Sequence, residues 1–130
     1  MKLGEYAVKK LIGGVSFVAA VQVEILEAAH QKREPIMDFA GRHWDSLSER
    51  DAYKAAASFG AFYALEKLHN SELVSAIEMA RFLQIKGYVV DTTMPIVAMA
   101  ACLAVWHALG VSGNRRPFID EDNKSVCFPK

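Results

Sequence analysis

The sequence predicts an all-α fold, a compact four-helix bundle-like domain with a central apolar C-terminal helix, a long 31–46 connection and a polar C-terminal tail. Three observations predict it. From Thr92 to Gly110 there is no formally charged residue, and both ends of that stretch carry helix-terminus signals. Ala52, Ala56, Gly60 and Ala64 place a small residue at every fourth position. Apolar residues between Leu3 and His30 recur at the three-and-four spacing of a helix face.

The apolar stretch comes first because the rest is expected to surround it. Thr92 or Thr93 can cap the free N–H groups, Pro95 fits the first turn, and Gly110 suits a left-handed stop. A helix apolar on all sides belongs at the centre of a bundle or inside a membrane. The eighteen positions from Met94 to Val111 reach the lower limit for a span. The alanines dilute that hydrophobicity, no basic cluster flanks it, and close packing against a second small-residue helix suits it better.

At the N-terminus, Leu3, Tyr6, Ala7, Leu11, Val15, Val18, Val21, Ile25, Leu26 and Ala29 describe a helix with a weak point at Gly13-Gly14. A strand reading stays open beside it, since Val15, Phe17, Val21, Val23 and Ile25 alternate. Lys9-Lys10 before Leu11–Ala20 imitates a secretory leader, but Glu5 is out of place in a cationic leader, so the segment is read as part of the fold. Pro35 then ends the helix, and residues 31–46 form a connection long enough to carry function. Phe39, His43 and Trp44 are its expected anchors and candidate interaction residues.

Ser46-Leu-Ser-Glu49 and Ser48-Glu-Arg-Asp51 resemble capping boxes for a second helix that ends near Leu68. Its small-residue stripe should interlock with Ala98, Ala101, Cys102, Ala104 and Ala108. A third helix is expected from Asn70 or Ser71 to Gly87, with Leu73, Val74, Ile77, Ala80, Phe82, Leu83 and Ile85 as its apolar face. Tyr88-Val-Val crosses to the last helix. Beyond it, six charges fall within Arg115–Lys124, which suggests an extended or mobile tail unless Phe118 and Phe128 dock. The organisation is one helical domain over residues 1–111 and a polar tail over 112–130.

Function is less legible. Fifteen basic and fifteen acidic residues cancel, so no net field draws nucleic acid, and no Lys or Arg lies between Gly87 and Asn114 to make the last helix a DNA reader. Phosphate-loop and nucleophile-elbow patterns are absent. Cys102 and Cys127 have no ligand-type spacing, which fits a reducing cytoplasm. His107 reads as a core histidine with one satisfied nitrogen.

Two Glu-x-x-His pairs, Glu27/His30 and Glu66/His69, would each share a helical face, with Glu24 and Glu78 as bridging carboxylates. In those four paired residues the arrangement resembles the ferritin-like di-iron proteins, and the resemblance implies an iron or manganese site. The last helix contributes no carboxylate to it, and a histidine at a helix C-terminus is also explained by the helix dipole. The expectation is therefore a non-catalytic protein acting by protein–protein interaction, without cofactor, as an adaptor, an inhibitor or a self-associating homodimer. The dinuclear metal protein and a membrane-associated helical protein are the alternatives.

Overall fold

The computed structural model describes residues 2–27, 35–40, 51–68, 71–88 and 92–130. The chain is not an all-α bundle. Among the described residues, strand β1 (Lys2–Ile12), β2 (Val15–Glu27) and β3 (Ile36–Phe39) precede helix α1 (Asp51–Glu66) and the short α2 (Ser71–Ser75). Strand β4 (Ile77–Lys86), helix α3 (Met94–Leu109), β5 (Phe118–Asp120) and β6 (Ser125–Cys127) follow. Four strands form one sheet in the order β1-β2-β4-β3, and β5 pairs with β6 separately.

The expected first helix is a β-hairpin. Ile12 pairs with Val15, so Gly13 and Gly14 are its whole loop, with φ of 55° and 81°. A two-residue turn with both centres at positive φ matches the right-handed twist of the flanking strands, and Gly-Gly adopts it without side-chain strain. The alternation then sets the register: Phe17, Ala19, Val21, Val23 and Ile25 are buried on one face of β2.

The expected third helix is mostly strand β4, and its helical look has a physical source. Gln22 pairs with Gln84 but Val23 with Phe82, leaving Leu83 as an extra residue; Leu26 pairs with Met79 but Glu27 with Ile77, leaving Glu78. Each β-bulge turns a step of two into a step of three. The buried positions therefore fall at Ile77, Ala80, Phe82 and Ile85, a spacing that passes for a helix face. Strand β3 lies parallel to β4 on its other side, within the segment read as a connection.

Helix α3 occupies the apolar stretch. Every residue in it except Met94, Pro95 and His107 is buried. It packs against β1 and β2 on one side and α1 on another. Glycines permit both approaches. A Cβ on Gly60 would overlap the carbonyl of Ala98, and one on Gly4 would strike the backbone of α3 at Ala104 and Ala108. Trp106 donates its indole N–H to the Ala64 carbonyl at 2.9 Å, satisfying an acceptor in the last turn of α1. Gly110 ends α3 at φ 70°, its N–H bonded to the His107 carbonyl while the Val111 N–H takes that of Trp106. Thr93 is the N-cap without a side-chain bond; Thr92 instead accepts from the Tyr88 N–H and donates to the Val18 carbonyl, tying the approach of α3 to β2.

The charged segment after α3 closes on the domain. Pro117 is buried, β5 and β6 pair, and Phe128 meets Phe59 and Tyr63 edge-on at 5.3 and 5.0 Å. The Tyr63 hydroxyl lies within reach of the carbonyls of Arg115 and Pro129, to one of which its single proton can be donated at a time. Burial, then the nearby Cys102, raises the Tyr63 pKa. Among the described residues no helix is long and apolar enough to cross a membrane.

Candidate functional site

The candidate site is the outer edge of β1. Among the described residues, sheet order leaves this eleven-residue strand paired only with β2. The residues flanking a two-residue hairpin turn exchange both backbone bonds, so even-numbered residues of β1 bond to β2. Odd-numbered residues, Leu3, Glu5, Ala7, Lys9 and Leu11, turn their N–H and C=O groups outward. One bond confirms the direction: the Glu5 N–H donates to Nδ1 of His107 at 3.1 Å. His107 accepts through Nδ1 from its place on the exposed last turn of α3. Among the described residues no backbone group pairs with the rest of this edge.

The side chains around the edge divide by face. On the face away from the helices stand Leu3 and Leu11, 55% and 72% exposed, with Glu5, Ala7 and Lys9 between them. Native edge strands are usually short, bulged, charged or covered; this one is long, and besides Glu5, Lys9 and Lys10 it carries exposed leucines near both ends. On the helix face two grooves run beneath the edge. One, about 390 Å³, lies among Tyr6, Leu103, Trp106, His107, Ser112 and Arg116. The other, about 350 Å³, lies among Tyr6, Lys9, Lys10, Arg116, Pro117 and Phe118. Among the described residues, no acidic side chain lines either groove. Arg116 separates them, its guanidinium 5.9 Å from the Tyr6 ring and donating to the Tyr6 hydroxyl at 3.1 Å.

The residues singled out from sequence lie elsewhere. Phe39 ends β3, stacked on Phe82 at 5.2 Å with the Lys54 ammonium 5.9 Å from its ring. His43 and Trp44 fall outside the described residues, as do His30 and His69. Glu27 closes strand β2 rather than a helix and pairs with Lys2 at 3.0 Å. Glu66 ends α1 beside Lys67, 3.8 Å away. Glu24 sits mid-strand opposite Arg81, and Glu78 is the extra residue of a bulge. Among the described residues, no three His, Cys, Asp or Glu side chains gather at metal-binding distance. Sequence reasoning missed Glu5, Lys9, Leu11, His107 and Arg116 as a group. Gly13-Gly14 could have marked residues 2–12 as a strand; that this strand is outermost, with His107 and Arg116 beside it, follows only from the fold.

No protein-family model matches the chain, and no curated protein does. Its fold is similar to part of a crystal structure from Thermus thermophilus, with a TM-score of 0.62 and 21% sequence identity over 81% of this chain. The match covers 15% of that protein, so the chain spans a small part of its length. At this identity the likeness is one of fold.

Proposed function

We propose that the domain is a non-catalytic interaction module that accepts an extended strand from a partner along the open edge of β1. The observation that carries the reading is the set of outward backbone groups on Leu3, Ala7, Lys9 and Leu11, in a strand whose two exposed leucines frame the edge. Strand addition draws affinity from main-chain bonds and specificity from alternate side chains. Half of an added strand's side chains would lie over the open sheet face. The others would enter the grooves beside Tyr6, His107 and Arg116, where the lining favours acidic or aromatic groups. The free thiols of Cys102 and Cys127 suit work in a reducing compartment such as the cytoplasm.

The test is selection of binders from a displayed library of peptides about ten residues long, enough to run the length of such a strand, followed by amide hydrogen exchange on the complexes. Bound peptides should slow exchange at Ala7, Lys9 and Leu11, and Ala7→Pro should abolish binding, because it deletes an outward N–H while leaving the bonds to β2 in place. Binders that protect other surfaces and tolerate Ala7→Pro would refute the reading.

A further inference from the structure

Building on the strand-addition reading, we infer that the strand taken up by β1 is β1 of a second copy of this chain, paired antiparallel about a two-fold axis at Ala7. Two identical strands meeting edge to edge around a two-fold axis must run antiparallel, and residues opposite one another then have numbers with a constant sum. Ala7 is the middle of Lys2–Ile12, so an axis there overlaps all eleven residues.

The outward positions read Leu3, Glu5, Ala7, Lys9, Leu11, and about Ala7 this pattern is self-complementary. Leu3 faces the partner's Leu11, and Glu5 faces the partner's Lys9. Ala7 faces the partner's Ala7, small against small. By symmetry each unlike pair occurs twice. Directly opposed pairs of this kind are what stabilise one register over another. Other axes spoil the match. An axis at Glu5 opposes two carboxylates, and one at Lys9 opposes two ammonium groups. An axis at Tyr6 sets Leu3 against Lys9, and one at Val8 sets Leu11 against Glu5. Only the axis at Ala7 sets the two exposed leucines against each other while pairing opposite charges.

Across the axis the four-stranded sheet would continue into its copy, and the partner's even-numbered side chains would lie on the helix face, where the two grooves sit. One contact must change. The Glu5 N–H now held by His107 would pass to the carbonyl of the partner's Lys9, exchanging one hydrogen bond for another while the exposed imidazole swings aside. His107 is thus a competitor for the interface, and removing it should tighten the pairing.

Sedimentation of the full chain over a concentration series tests this, with Glu5→Lys and Lys9→Glu made separately. The wild type should dimerise. Each single change opposes like charges twice and should weaken the dimer about tenfold or more. Mixed together, the two variants should form a heterodimer, because one chain then presents only lysines at its two charged edge positions and the other only glutamates. Ala7→Cys should give a disulfide-linked dimer on oxidation, since a bonded antiparallel pair brings the Cα atoms to about 5.5 Å, within disulfide range. A wild type that stays monomeric at every concentration would overturn the inference. So would a dimer indifferent to both charge changes, or two weakened variants that fail to rescue one another. Strand addition itself survives any of these if selected peptides still protect Ala7, Lys9 and Leu11, and falls if they do not.

Discussion

Gly60→Ala puts the contact between the two long helices to a quantitative test. A Cβ at this position would overlap the Ala98 carbonyl oxygen, 2.9 Å from its carbon and 3.1 Å from the Ala101 methyl. Carbon atoms in contact sit at about 3.5–4.0 Å, and the carbonyl oxygen is closer still, so α1 and α3 would have to part by roughly an ångström or more. The obstacle is backbone, which cannot rotate aside, and α3 is held from behind by β1 and β2. Overpacking of this kind costs about 1–3 kcal/mol, and the rigid surroundings argue for the upper half. Alanine's better helix propensity returns about 1 kcal/mol, because Gly60 lies inside α1. The net expectation is a loss of about 1–2 kcal/mol. Urea unfolding followed by far-UV circular dichroism measures it, with a lower midpoint and an unchanged slope expected. A variant as stable as the wild type, or more so, would refute the claim that this glycine sets the helix separation.

Trp106→Phe should cost about 1–3 kcal/mol in the same assay, because the buried Ala64 carbonyl loses its donor; an unchanged midpoint would show that the bond contributes nothing. Burial pushes the Cys102 thiol up to about 12. The folded chain therefore keeps a proton that the unfolded chain releases near pH 9, so stability should fall as pH rises from about 9 towards 12, which unfolding midpoints across that range would measure. At a pH of about 8 a thiol-specific reagent should modify the partly exposed Cys127 and spare Cys102 until the chain unfolds. Rapid double labelling in the native state would contradict the burial.

Helix α3 was legible because its evidence is local. Pro95, Gly110 and the charge-free run between them specify its ends and its burial with no reference to the rest of the chain. The partnership of Gly60 with Ala98 was legible for a similar reason, since a run of small residues on a helix implies a close neighbour. Residues 3–26 carried two periods at once, and the count of helix-spaced apolar positions outweighed the one feature that decides between them, the paired glycines. Strand β4 was harder. Its three-two-three spacing comes from bulges opposite Gln22/Val23 and Leu26/Glu27, so it depends on a strand distant in sequence. The edge of β1 was out of reach altogether. Which strand lies outermost is a property of sheet order, and the symmetry of Leu3 through Leu11 about Ala7 has meaning only once those residues form a strand.

Gly4 has one more consequence. Because it lacks a side chain, the backbone of α3 rests directly on β1 at Ala104 and Ala108. A strand held in that way by a largely buried helix resists exchange. Drawing β1 out of the sheet would break this contact with α3 as well as the bonds to β2. A larger residue at position 4 would push α3 off β1 and loosen the strand's hold on the core.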